Sequence, residues 1–505
     1  MKINLAMKKT ALLTSLILIS SLGYSKIVET TTWKTKNAEK NYLTKVFCNK
    51  KLSKEDCQKN IKNIKDYGID VKSLADKNIK NIDLNKVTYT TTNTFPATGE
   101  VKSNVSGLLM LPETKDPRGV IIYYHPTVFD NAGVGSNLSK KNKTSVLFNT
   151  IYAAIYAANG YIVVAPDYIG QGDDYKNYHP YVFYPRQTVN TAVDMLNNVS
   201  KDIRKKYNLK ADQHLNLYSV GYSEGGAYSI WSAKCLGWRG DCKGVNKLNN
   251  LYKYRAAAGL SGAYDISQIE LDFMTDNNDS NKYALHSKLI TTMLKPGLMS
   301  NAFMSYLHYG NTSKTISTQD FDKGFFNMMC STFSQDKCNL EGKHYTFDNL
   351  FLQKHLPNNA FAGAIFNSAL YKKYPNQESA SHYGIPTGNN SMYDLFKQKI
   401  FSNEELLNTM RDANIVNQGK RTRTPMFLFT LKEDSVVTRL NYDKFMKNAN
   451  AIVDGFVLDN DKIVTNTIDW LPVDLNINEV DHVTGEIYAN LFAYNYINDM
   501  NRVYS

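Results

Sequence analysis

The chain has 505 residues, of which 43% are hydrophobic and 21% charged, with a formal net charge of +12. That balance excludes a collagen-like, coiled-coil or largely disordered chain and calls for a real core, large enough for one domain with an insertion. The positive charges are scattered, and no basic stripe interleaved with aromatics stands out, which argues against a nucleic-acid partner.

Residues 1–25 read as a secretory signal peptide. Lys8 and Lys9 precede the uncharged apolar run Ala11 to Leu22, and Gly23-Tyr24-Ser25 supplies small residues for cleavage. The run is too short to span a bilayer. The expectation is an exported protein, periplasmic or secreted. Removing Lys2, Lys8 and Lys9 leaves a charge of +9 (12 − 3), compatible with peripheral contact with an anionic membrane surface. Six cysteines fall into three close pairs, Cys48/Cys57, Cys235/Cys242 and Cys330/Cys338. Export makes local disulfides the natural reading, although sequence does not choose the pairing.

Residues 26–85 are Lys- and Asn-rich and mostly helical in pattern, an N-terminal extension. Val87 to Thr92 and Val105 to Met110 then read as strands of an antiparallel hairpin at a sheet edge. From Gly119 the pattern alternates. Val120 to Tyr124 and Tyr161 to Ala165 are continuous apolar runs, as expected for strands buried on both faces. Between them, Ser145 to Asn159 is helical and stops at Gly160. Thr188 to Val199 is a helix, Leu215 to Val220 a strand, and Ala256 to Leu260 another. Alternating strands and helices predict an α/β fold with a mostly parallel sheet flanked by helices. The next sheet strand, Met426 to Phe429, comes only after a long helical stretch rich in Met and Phe, including Met293, Met299, Phe303 and Met304. Ser402 and Glu405 have capping-box spacing within it. The reading is therefore a core over residues 86–266 and 423–505, interrupted by a helical cap over residues 267–422.

Gly221-Tyr222-Ser223-Glu224-Gly225 is a G-x-S-x-G placed between a buried strand and a small-residue helix start. Such a turn exposes a serine on a strained corner where flanking side chains would collide. A serine nucleophile needs a base, an acid to orient that base and donors for an oxyanion. His482, late in the chain, is the candidate base, and Asp434, just past the strand at Met426, the candidate acid. Asp265 is the rival acid. The backbone N–H groups of Glu224 and Thr127 are the candidate oxyanion donors; Pro126 has none to offer, and His125 reads as structural. No metal-binding spacing occurs.

On these residues the chain resembles α/β-hydrolases of the secretory-lipase type and related bacterial serine esterases. The resemblance is carried by Tyr161 to Tyr168 with Gly170 and Gly172, by Tyr178-His179-Pro180-Tyr181, by Gly221 to Gly226 and by Gly262 to Asp265. Many relatives have His-Gly where this chain has His125-Pro126. The resemblance implies an α/β-hydrolase fold, a Ser-His-Asp triad, no cofactor and hydrolysis of small-molecule or lipid carboxylic esters. Two rivals stay open: a serine peptidase on the same scaffold, and a non-catalytic hydrolase-like envelope protein.

Overall fold

The computed structural model describes residues 25–35, 53–69, 76–128, 133–240, 242–275, 298–299, 301–310, 398–460 and 480–505, with 316, 320 and 463 as single positions. Residues 1–24 of the leader, Cys48, Met293, the Cys330/Cys338 pair and most of the cap lie outside the described residues.

Nine strands form one sheet in the order β1-β2-β3-β5-β4-β6-β7-β8-β9. They are β1 (Lys26–Lys34), β2 (Asn81–Phe95), β3 (Gly99–Pro112), β4 (Gly119–Tyr124), β5 (Tyr161–Pro166), β6 (Leu215–Tyr222), β7 (Tyr252–Leu260), β8 (Met426–Leu431) and β9 (Val453–Leu458). The β1-β2, β2-β3 and β3-β5 pairings are antiparallel, and those from β5 across to β9 are parallel. Successive residues of β4 divide between two cores. Val120, Ile122 and Tyr124 pack in one, and Ile121 and Tyr123 in the other. This is the period of two that a strand imposes, and it explains why β4 reads as an unbroken apolar run.

Helices α1 (Lys54–Asp66), α2 (Lys143–Ile151), α3 (Pro185–Tyr207), α4 (Glu224–Leu236), α5 (Glu404–Ala413), α6 (Leu440–Lys447) and α7 (His482–Tyr504) complete the frame. The α3 residues Ala192, Met195, Leu196 and Val199 cover one face of the sheet. Ile151 and the Tyr152–Ala158 turns cover the other, with Ile487, Tyr488 and Leu491 of α7. Among the described residues, no helix is long and apolar enough to cross a membrane.

The differences from the sequence reading have physical causes. Among the described residues of 26–85, Lys54–Asp66 is helical, whereas Lys26–Lys34 forms the edge strand β1 and β2 already begins at Asn81. The nine residues of β1 are almost wholly exposed, so they carry no alternation of apolar and polar side chains to betray a strand. The β2-β3 hairpin is therefore one strand in from the edge. The helix expected to run to Asn159 stays α-helical only to Ile151, then widens over Tyr152–Tyr156 and tightens over Ala157–Asn159. Gly160, at φ 88°, does end it, in the left-handed conformation that glycine adopts without steric penalty. The cap of α5 is Asn403 rather than Ser402; its side chain accepts from the Leu406 N–H. The C-terminal helix begins at His482 itself, not near Glu486. Cys235 and Cys242 are disulfide-bonded, closing the loop after α4. Cys57 is also in a disulfide.

Candidate active site

β4 marks the place where the chain reverses its direction of growth across the sheet, with β5 added on one side and β6 on the other. In open α/β sheets a crevice forms at the carboxyl ends of the strands flanking such a point. Three of the nominated residues follow parallel-strand ends there or nearby: Thr127 after β4, Ser223 after β6 and Asp434 after β8.

Ser223 sits at φ 56°, ψ −119°, a positive φ unusual for a residue with a side chain. The corner is closed by the Ser223 N–H donating to Leu260 O at 2.8 Å and the Gly226 N–H donating to Ser223 O at 2.9 Å. Its glycines answer to close approach. A Cβ on Gly221 would strike the Gly225 carbonyl, and one on Gly225 the Tyr124 carbonyl. The strain of the serine is thus held by packing on both sides.

Ser223 Oγ lies 2.8 Å from His482 Nε2. His482 Nδ1 lies 2.9 Å from both oxygens of Asp434. All three side chains are buried. Asp434 Oδ1 also accepts the N–H groups of Val436 and Val437, at 3.0 and 2.9 Å. Those bonds fix the carboxylate, which in turn requires a proton on His482 Nδ1 and leaves Nε2 to accept from the serine hydroxyl. His482 is set by the helix it starts. The Asp481 side chain caps α7 by accepting the Thr484 N–H, and Thr484 Oγ1 accepts the Asp481 N–H. Tyr222 OH donates to His482 O at 2.6 Å. The rival acid, Asp265, is engaged elsewhere, with Lys444 of α6 and with Asn414.

Thr127 and Glu224 also come together, through their side chains. Thr127 Oγ1 donates to Glu224 Oε2 at 2.9 Å. Glu224 Oε1 accepts from Tyr228 OH at 2.7 Å and faces His179 Nε2 at 2.6 Å. His179 appears in the sequence only within the Tyr178-His179-Pro180-Tyr181 run, with nothing there to indicate its partner. His125 is buried, and desolvation pushes its imidazole down to about 4, so it is neutral at pH 7. It stacks on Tyr168, ring centroids 4.0 Å apart, beneath the loop that carries Thr127.

A cavity of about 70 Å³ opens beside Ser223. Among its lining residues only Ser223, Glu224 and Glu270 are acidic or hydroxylic apart from Tyr181; the others are aliphatic, Met or Phe. Met299, Phe303, Leu406 and Met410 close it from the insertion, and Val436 and Val437 from the loop that carries Asp434. Among the described residues there is no group of three or more His, Cys, Asp or Glu side chains arranged to hold a metal.

The sequence matches no family model and no curated protein sequence. Solved structures do match in shape. The rice cell wall degrading esterase LipA from Xanthomonas oryzae has a TM-score of 0.58 at 14% identity, covering 93% of this chain and 96% of its own. A candidate hydrolase from Legionella pneumophila gives 0.55 at 18%, covering 94% and 98%. Candida antarctica lipase A in its closed state gives 0.51 at 11%, covering 94% and 82%. At such identities the likeness establishes the α/β-hydrolase fold.

Proposed function

We propose that this α/β-hydrolase-fold chain is an exported serine esterase acting on acyl esters. The observation that carries the reading is the continuous relay from Asp434 through His482 to Ser223, which lines an apolar cavity. Ser223 Oγ attacks the ester carbonyl while His482 Nε2 takes its proton. Asp434 stabilises the imidazolium that results. The backbone N–H groups of Glu224 and Thr127 receive the oxyanion. The intermediate collapses with the His482 proton passing to the departing alcohol, leaving Ser223 acylated. A water, deprotonated by His482, then releases the acid.

Esters rather than peptides are favoured by the cavity. A hydrocarbon tail entering it leaves water for a wall of Met, Phe, Leu and Val side chains, worth about 0.8 kcal/mol per buried methylene. Met suits such a wall because its flexible thioether adapts to a chain of varied shape. Esterase and lipase neighbours on the same fold are consistent with this chemistry. Export is supported by the leader pattern of residues 1–25 and by the Cys235–Cys242 disulfide, a bond typical of oxidising compartments.

The test is a series of p-nitrophenyl esters of increasing acyl length beside matched p-nitroanilide peptides. The expected result is turnover of the esters, with kcat/KM rising over the first several carbons. Turnover of the anilides alone would overturn the reading in favour of a peptidase.

A further inference from the structure

His179 and Glu224 form a buried pair that the triad chemistry does not use. Their side chains are 6% and 1% exposed. An acid and a base placed so deep are costly unless each is fully partnered. The partners are present. Glu224 is offered hydrogen bonds by Thr127, Tyr228 and His179 at 2.9, 2.7 and 2.6 Å. His179 Nδ1 faces Ile169 O at 3.1 Å, and a carbonyl oxygen only accepts, so that nitrogen carries a proton. Nε2 faces Glu224 Oε1 at 2.6 Å, so a single shared proton joins imidazole and carboxyl. Tyr181 OH lies 3.0 Å from Thr127 Oγ1; since the threonine proton is committed to Glu224, the tyrosine donates.

The placement of this network is what gives it a consequence. Glu224 and Thr127 are the two residues whose backbone N–H groups are assigned to the oxyanion. The Thr127–Glu224 hydrogen bond therefore ties the loop after β4 to the first turn of α4 and holds the two assigned donors relative to each other. A carboxylate one residue from the nucleophile would, alone, oppose the negative charge that develops there. The proton that Glu224 shares with His179 offsets that charge. The insertion braces His179 in turn: Ser305 Oγ donates to Pro180 O at 2.6 Å and Tyr309 OH to Tyr178 O at 2.7 Å, on either side of it.

We propose that the hydrogen-bonded His179–Glu224 pair and Thr127 form a strut that sets the spacing and charge of the oxyanion hole, with His179 as a positioning residue. The proposal rests on the esterase reading above. It extends that reading from three side chains to a second hydrogen-bonded assembly, built around the two assigned oxyanion donors.

The experiment compares Glu224→Gln, His179→Gln, Thr127→Val and Thr127→Ser on one short p-nitrophenyl ester. Folding is checked by circular dichroism and thermal midpoint. Inhibition by an alkyl boronic acid, whose tetrahedral adduct occupies the hole, is read alongside. Expected is a loss of kcat of about 10- to 100-fold for Glu224→Gln, His179→Gln and Thr127→Val, with KM within about twofold. Boronate affinity should fall in parallel with kcat. Thr127→Ser, which keeps the hydroxyl, should lose far less than Thr127→Val. Thr127→Val combined with Glu224→Gln should lose little more than either alone, because both break the same strut. Unchanged kcat in the folded variants, losses confined to KM, or fully additive losses would overturn the proposal. Where Glu224→Gln does not fold, the Thr127→Val against Thr127→Ser comparison decides by the same criteria. Ser223→Ala is measured in parallel: full activity there would sink the esterase reading itself, whereas an inactive Ser223→Ala beside unaffected strut variants would sink only the strut.

Discussion

Replacing Glu486 with Gln should change the pH dependence of stability in a direction fixed by burial. Glu486 lies one turn along α7 from His482 and is fully enclosed. Tyr123 OH donates to its Oε1 at 3.1 Å, Asn490 donates to that hydroxyl at 2.9 Å, and Tyr156 OH donates to Asn490 Oδ1 at 2.7 Å. Loss of water raises the carboxyl to about 8, from an ordinary value of 4.5. Between those two pH values the unfolded chain releases the proton and the folded one keeps it. The unfolded state then binds fewer protons, so this group's contribution falls as pH rises through the window and levels off above the folded value. At pH 7 the 2.5-unit gap (7 − 4.5) corresponds to about 3 kcal/mol. Glu486→Gln keeps the acceptor for Tyr123 and removes the titration. Urea unfolding of both proteins from pH 5 to pH 8 measures the difference directly. The variant should gain on the wild type steadily with rising pH, by about 3 kcal/mol near neutrality. Asp167 and Asp174, both pushed up to about 6 by burial, share this sign; His125, pushed down to about 4, has the opposite one. All three are present in both proteins and cancel in the comparison. A difference that is flat with pH, or that shrinks as pH rises, would refute the reasoning.

Three further outcomes follow from contacts already described. Phe303→Trp, which narrows the cavity from the insertion side, should shift the kcat/KM optimum of an ester series towards shorter acyl chains. Asp265→Ala should reduce stability through the loss of the Lys444 and Asn414 contacts while retaining most of the turnover, whereas Asp434→Ala should lose nearly all of it; steady-state kinetics beside thermal midpoints separates the two. Cys235→Ser combined with Cys242→Ser should cost about 2 kcal/mol in urea unfolding, the entropy released by opening a loop this short.

The parts of this fold that were legible in the sequence are those whose environment is uniform. β4, β5 and β6 lie between helical layers, so both of their faces are apolar and the runs stand out. The corner at Ser223 was legible because close backbone approach admits only glycine at Gly221 and Gly225. β1 was not, because an exposed edge strand with Thr and Glu on both faces has no pattern to show. The start of α7 at His482 was missed because Asp481 and Thr484 form a capping box that lacks the customary Glu or Gln. The His179–Glu224 pair was beyond sequence reasoning altogether. Glu224 occupies a variable position of the G-x-S-x-G, and its partner lies 45 residues away, brought to it because β5 and β6 flank β4 in parallel and the segments that follow them leave the same end of the sheet.

The central claim is that Ser223 is a nucleophile activated by His482. Treating the folded protein with a fluorophosphonate and locating the adduct by peptide mass mapping tests it most directly. One adduct per chain is predicted, on Ser223, formed at least about a thousandfold more slowly in His482→Ala. No adduct, an adduct on another residue, or labelling of Ser223 that proceeds as fast without His482 would contradict it.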